Sequence, residues 1–124
     1  MKIENGTDII EVNRIKNDIE TLGSRFLNRI YTENEILYCE SKKSQKYQSY
    51  AERFAAKEAI YKAISSYINC EYSWKDFEIL NDENGRPFVK LGIKIDELEE
   101  LTVTLSHCKE YAVANVIAIY NKER

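Results

Sequence analysis

Asp8, Glu58 and Lys62 are the side chains of this sequence best suited to handling a phosphate-bearing substrate. Asp8 sits inside an apolar run, between Thr7 and Ile9 and just ahead of Ile10 and Val12. A carboxylate there faces solvent by strand alternation, accepts a backbone hydrogen bond, or is paired or ligated, because burying it alone is costly. Glu58 and Lys62 are four residues apart, so on a helix they stand one above the other. By themselves they read as a solvated ion pair contributing roughly 0.2–0.5 kcal/mol. With Asp8 they make two hard oxygen donors and one ammonium. Mg2+ takes one or two carboxylates and completes its octahedral shell with water and substrate phosphate. The metal would offset charge on a pyrophosphate, and Lys62 would add a point charge. A chain with 21 acidic residues offers many such pairs, so residue type alone does not single this one out.

His107 is the only histidine, placed where a strand gives way to a turn. That is a common position for site residues. It reads either as a hydrogen-bonded turn histidine or as a donor to substrate phosphate or ribose. Other chemistries find no support. There is no GxSxG, GxxxxGK[ST] or GxGxxG word, which removes the usual signatures of nucleophilic-serine and nucleotide-loop sites. One histidine and three scattered cysteines exclude a zinc site of the usual Cys/His kind.

These residues need a scaffold. Arg53 to Ala63 contains no Gly or Pro, and five alanines fall between Ala51 and Ala63, so it reads as helix. At about 100° per residue, Ala55, Ala56, Ala59, Ile60, Ala63 and Ile64 form one broad apolar face. Ala51, Phe54, Glu58, Tyr61, Lys62 and Ser65 lie on a neighbouring face. Small alanines let another segment approach the helix backbone, which puts Glu58 and Lys62 at the edge of a packed face.

In chain order, residues 2–12 read as a strand, with Gly6 marking a bulge or a close backbone approach. Residues 13–30 read as helix interrupted near Gly23. Thr32 to Glu35 fits a capping box, with a short helix through Ile36, Leu37 and Tyr38. Ser41 to Ser49 is polar, and the long helix runs from about Gln48 to Tyr67. Asp76 to Leu80 and Pro87 to Leu91 read as a hairpin around Asn84-Gly85. Ile95 to Leu101 reads as a short acidic helix or turn. Thr102 to Ser106 and Tyr111 to Tyr120 read as strands around a turn at His107. The sum is an α+β fold, an antiparallel sheet packed against one long helix, in a single domain over 1–124.

Net charge is −3 and the pI about 5.3, which argues against nucleic acid as a partner. No apolar run approaches the roughly 18–20 residues of a membrane span, and the N-terminal residues lack the apolar core of a signal peptide. Cys39, Cys70 and Cys108 are odd in number without CxxC spacing. They read as free thiols in a reducing compartment, and the expected location is cytoplasmic.

Several words of the sequence occur together in one known family. They are Gly6-Thr7-Asp8-Ile9 with Arg14, Arg25-Phe26, and Arg29-Ile30-Tyr31-Thr32 with Glu35. They continue with Arg53-Phe54-Ala55-Ala56-Lys57-Glu58-Ala59, Asn84-Gly85-Arg86-Pro87, and Ser106-His107 before Glu110-Tyr111-Ala112. Across essentially the whole chain this closely resembles the holo-acyl-carrier-protein synthases, the short 4'-phosphopantetheinyl transferases. The resemblance implies an enzyme that moves 4'-phosphopantetheine from coenzyme A to a serine of apo-acyl carrier protein. The reaction depends on Mg2+, releases adenosine 3',5'-bisphosphate and serves fatty acid biosynthesis. It implies a homotrimer with active sites between subunits. Carried over by position, Asp8 and Glu58 resemble the metal ligands, and Glu58 and Lys62 the catalytic pair. Arg53, Lys62 and a neighbouring subunit's His107 resemble coenzyme A contacts. Arg14 and Arg25 resemble the basic residues that dock the acidic carrier. The first helix departs from the family by carrying Asp18 and Glu20, and by one inserted residue before Arg25. The alternative reading is a non-catalytic coenzyme A or carrier-protein binding module of the same fold.

Overall fold

The computed structural model describes residues 1–123. Its sheet joins β1 (Lys2–Glu11), β5 (Tyr111–Tyr120) and β4 (Leu98–His107), in the order β1-β5-β4 and antiparallel throughout. Alternation along β5 sets its two faces. Ala112, Ala114, Val116, Ala118 and Tyr120 are buried, while Tyr111 and Ile117 are exposed. The buried side receives the long helix α4 (Lys46–Ile64), whose Ala55, Ala56, Ala59, Ile60, Ala63 and Ile64 are all inaccessible or nearly so. Alanines on both surfaces let helix and sheet lie close, and Tyr120 closes one end by donating its hydroxyl to the Ala63 carbonyl at 2.7 Å.

Gly6 shows how close the approach is. A Cβ at this position would fall 1.9 Å from the carbonyl oxygen of Ala59. The β1–β5 register runs unbroken through Gly6, so of the two roles open to it the structure gives the close approach, not the bulge.

The segment between β1 and α4 holds α1 (Val12–Leu22), α2 (Ser24–Ile30) and α3 (Glu33–Glu40). Gly23 separates the first two at φ +58°, a value glycine tolerates without a Cβ penalty. Thr32 and Glu35 form the expected reciprocal capping box at the start of α3. Helix α4 starts at Lys46, and its expected last turn tightens into a 3-10 turn over Ser65–Tyr67. A second, two-stranded sheet follows, β2 (Phe77–Asn81) paired with β3 (Pro87–Leu91). The Asp82 carboxylate organises their turn by accepting from the backbone N–H groups of Asn84 and Arg86, both at 2.9 Å.

Of the two readings open to Ile95 to Leu101 the structure gives the turn, closed by the Leu98 N–H donating to the Ile95 carbonyl at 3.2 Å. The segment is not a helix, and β4 begins already at Leu98, its register slipping between Leu98 and Glu100. Pairing with Ile119 and Tyr120 outweighs the poor strand preference of the consecutive acidic residues. Glu99 and Glu100 remain exposed on this edge strand.

Candidate active site

The close contact of β1 with α4 assembles the site. Lys62, in the last turn of α4, reaches across to β1 and donates to the Thr7 carbonyl at 2.9 Å. Its ammonium also lies 3.5 Å from Asp8 Oδ1. The Asp8 side chain is 21 % exposed and that of Lys62 52 %, so the pair sits at a surface that a ligand can reach. Asp8 shares the inward side of β1 with Gly6 and Ile10, by period-2 alternation. The expected Glu58–Lys62 ion pair does not form; the described ion pair of Lys62 is with Asp8.

Glu58 lies one turn before Lys62 and lines a cavity of about 320 Å3. Tyr61, Tyr72, Trp74 and Phe77 form the aromatic part of its wall. Tyr72 stacks against Tyr61 at 5.9 Å and against Phe77 at 5.5 Å between ring centroids. This apolar wall beside the Glu58 carboxylate suits a ligand with an uncharged arm.

Beneath Glu58 the structure holds a buried charge network. Lys57 and Glu35 pair at 2.9 Å, and both side chains are fully inaccessible. The Lys57 ammonium also donates to the carbonyls of Trp74 at 3.1 Å and Phe77 at 2.7 Å. Glu35 accepts from the backbone N–H of Thr32 and of Ile79, both at 2.9 Å. Burial pulls the Lys57 ammonium below its ordinary pKa, and the Glu35 carboxylate opposes that fall. The network ties α3, β2 and the turn at Trp74 to the helix residue next to Glu58. Sequence reasoning missed it. Its signal was that Arg53 and Lys57 fall on one stripe with Ile60 and Ile64, where an exposed charge has no place.

Arg53, expected at the coenzyme, lies elsewhere. It is 1 % exposed, stacks over the Tyr38 ring at 4.1 Å and donates to Asn81 Oδ1 at 2.5 Å. An arginine whose planar face and both terminal nitrogens are engaged inside the protein, Nη1 with the Ser49 hydroxyl at 3.5 Å, supports the β2 end of the hairpin. Arg14 and Arg25 are exposed, on α1 and α2 respectively. His107 ends β4, on the opposite edge of the sheet from the strand bearing Asp8. Its Nδ1 lies 2.8 Å from Oε2 of Glu52. Asp8 and Lys62 therefore meet within one chain, with Glu58 one turn earlier on the same helix, whereas His107 and Arg53 do not join them.

The carboxylates fit a hard cation. Both offer oxygen, both are half-buried, and Asp8 is in contact with a lysine on the turn after Glu58. Among the described residues no group of three or more His, Cys, Asp or Glu side chains is arranged to hold a metal. Two carboxylates leave most of an octahedral shell to water and phosphate oxygen, the ordinary condition for Mg2+ and not for a protein-enclosed ion.

An antiparallel sheet packed on one long helix, with Asp8 and Lys62 in contact where strand meets helix, is an α+β fold with a charged, solvent-accessible site. The family model of the 4'-phosphopantetheinyl transferase superfamily matches residues 4–116. The holo-[acyl-carrier-protein] synthase of Ruminiclostridium cellulolyticum is 49 % identical over 118 residues, covering 90 % of this chain and 88 % of the relative. That of Protochlamydia amoebophila is 45 % identical, with 88 % and 91 % covered. A crystal structure of Helicobacter pylori holo-[acyl-carrier-protein] synthase in complex with coenzyme A superposes at a TM-score of 0.80 and 28 % identity, covering 93 % of this chain and 99 % of that one. The Bacillus anthracis synthase structure is 40 % identical at a TM-score of 0.72, with 93 % and 94 % covered. The chain belongs to the 4'-phosphopantetheinyl transferase superfamily, and within it to the holo-[acyl-carrier-protein] synthases.

Proposed function

We propose that this protein transfers the 4'-phosphopantetheine group of coenzyme A to a serine hydroxyl of apo-acyl carrier protein, releasing adenosine 3',5'-bisphosphate. The observation that carries the reading is the contact of Lys62 with Asp8 at the β1–α4 crossing, one helical turn after Glu58, which lines the aromatic cavity, in a chain related to named synthases over nine-tenths of its length.

In this reading the pantetheine arm lies along the aromatic wall and the pyrophosphate meets Lys62. The serine oxygen forms a new bond to the phosphorus bearing the pantetheine arm. The bond from that phosphorus to the bridging oxygen breaks, and the electron pair leaves with the bisphosphate. Glu58 is placed to take the serine proton, directly or through a water. Lys62 holds a phosphate oxygen, or supplies a proton to the leaving group. Asp8 and Glu58 would hold Mg2+, which when bound lowers the charge of the pyrophosphate and of the leaving group.

The assembly we infer is a homotrimer. The sheet face turned away from α4 exposes Ile3, Ile9, Tyr111 and Ile117, an apolar surface of the kind that marks an interaction site. His107 and Asp8 occupy opposite edge strands of their own sheet, so a neighbouring copy is a natural source of a histidine at the coenzyme. Exposed Arg14 and Arg25 would receive the acidic carrier, in an attraction that weakens with salt. Three free cysteines suit the reducing cytoplasm.

The test is mass spectrometry of apo-acyl carrier protein incubated with the protein, coenzyme A and Mg2+. The carrier should gain one phosphopantetheine on its serine, and chelation of Mg2+ should stop the gain. Coenzyme A binding without any gain across several carriers would make this a binding module instead.

A further inference from the structure

His107 is the last residue of β4 and pairs across the sheet with Ala112. Its Nδ1 contact with Glu52, at 2.8 Å, joins the long helix to the far edge of the sheet across 55 residues of sequence. The Glu52 side chain is 15 % exposed and that of His107 35 %. Glu52 precedes Glu58 by six residues, which is about 9 Å along a helix axis. It is thus no member of the Asp8–Glu58–Lys62 cluster.

A carboxylate oxygen has no hydrogen to give, so the hydrogen of this bond is on Nδ1. That fixes the ring in two respects. The tautomer is Nδ1–H, whereas a free neutral imidazole in water favours Nε2–H. The ring plane is held, so the direction of Nε2 is set by a neighbour and not by free rotation. In neutral form Nε2 is then an acceptor, suited to a ribose hydroxyl. With a second proton it is a donor, suited to a phosphate.

We propose that Glu52 is a positioning residue for His107, fixing the tautomer and direction of its ring so that Nε2 is the atom presented to coenzyme A. The inference rests on the reading of His107 as a coenzyme contact given above.

Because the chain has one histidine, 15N labelling of histidine gives one pair of ring-nitrogen signals. At a pH where the ring is neutral, the wild-type protein without ligand should show Nδ1 protonated and Nε2 bare. Glu52→Ala should return the ring to the Nε2–H form. The same variant should raise the KM for coenzyme A about tenfold while kcat stays within about twofold. Glu52→Gln, whose amide oxygen still accepts, should recover much of both. Coincident ring signals in wild type and Glu52→Ala overturn the role given to Glu52, as does a changed tautomer with an unchanged KM. His107→Ala separates the underlying reading. If that variant keeps the wild-type KM for coenzyme A, the contact assigned to His107 fails, whatever the ring signals show.

Discussion

Gly6 and Ala59 touch backbone to backbone, with the Ala59 carbonyl oxygen 1.9 Å from where a Gly6 Cβ would stand. The obstacle is main chain in the middle of α4, and it cannot swing aside as a side-chain tip can. Gly6→Ala must therefore lever β1 away from the helix. The expected cost is at least ~3 kcal/mol, at the severe end of overpacking. Transferase activity should fall further than stability alone explains, because Asp8 lies two residues along the displaced strand. Thermal melts and turnover of the variant, assayed well below its melting temperature, check both parts.

The Lys57–Glu35 pair gives a second prediction. Both side chains are inaccessible, so removing one partner strands the other charge without water. Lys57→Met should destabilise the fold by about 3–5 kcal/mol, as should a Glu35 variant that loses the charge. The double variant Lys57→Met/Glu35→Gln should cost less than the sum of the two singles, by at least ~1 kcal/mol. Urea unfolding of the four proteins measures the coupling. Strict additivity would show that the two charges are not each other's main partner.

Much of this architecture is legible in the sequence where local and tertiary demands agree. The Thr32–Glu35 capping box is written in adjacent residues and forms as written. The alanine face of α4 and the alternation of Tyr111 to Tyr120 each carry one periodicity, and each is buried accordingly. Gly6 announces a special backbone position but not its kind, since bulge and close approach both favour glycine. The misses have one source. Arg53 and Lys57 are charged, and charge argues for the surface unless the partners are known. Those partners, Glu35, Asn81 and the carbonyls of Trp74 and Phe77, come from other elements. The start of β4 is hidden similarly, because Glu99 and Glu100 read locally as helix or turn while the strand is set by pairing with β5. Lys62 likewise has two spatial options, Glu58 along the helix and Asp8 across it, and spacing displays only the first.

A third prediction concerns alkaline pH. Burial pushes the Cys39 thiol up to about 11. It also raises the Tyr31 phenol well above its ordinary 10.0, and that of Tyr50 too, where a hydrogen bond to Glu40 adds to the effect. The unfolded chain releases these protons near the ordinary values of 9.0 for the thiol and 10.0 for the phenols. The native state keeps them longer, so above pH 9 the unfolded state binds fewer protons and stability falls as pH rises. The contribution is complete below pH 9 and is lost as pH climbs through the raised native values. Lys57, with its lowered value, acts in the opposite direction below 10.5, so below pH 10 it stands against Cys39 alone and above 10.5 it no longer opposes the three. Each raised group supplies a slope of up to ~1.4 kcal/mol per pH unit. Lys57 offsets Cys39 between pH 9 and pH 10, and the phenols add their slope only above pH 10, so the urea midpoint should drop clearly between pH 10 and pH 11.5. In the native protein at pH 8, Cys39 should also resist a thiol reagent that labels exposed Cys70 and Cys108. A flat midpoint over that interval would contradict the burial of these three groups.

The last prediction separates function from stability at Lys62. Its ammonium is bonded to the Thr7 carbonyl and near Asp8, yet the side chain is half exposed. An ion pair so open to water contributes about 0–1 kcal/mol. Lys62→Ala should therefore shift the melting temperature by only a few degrees. If Lys62 holds a coenzyme A phosphate as proposed, losing it costs much more, and kcat/KM for coenzyme A should fall by about 10²-fold or beyond. Lys62→Arg keeps the charge but not the compact ammonium that fits between the Thr7 carbonyl and Asp8, so it should recover only part of the loss. Asp8→Asn should likewise melt like the wild type while raising the Mg2+ concentration needed for half-maximal rate. Were Lys62→Ala to lower the melting temperature sharply and leave kcat/KM intact, the ammonium would be a strap between β1 and α4. The phosphate would then have to be held by other residues.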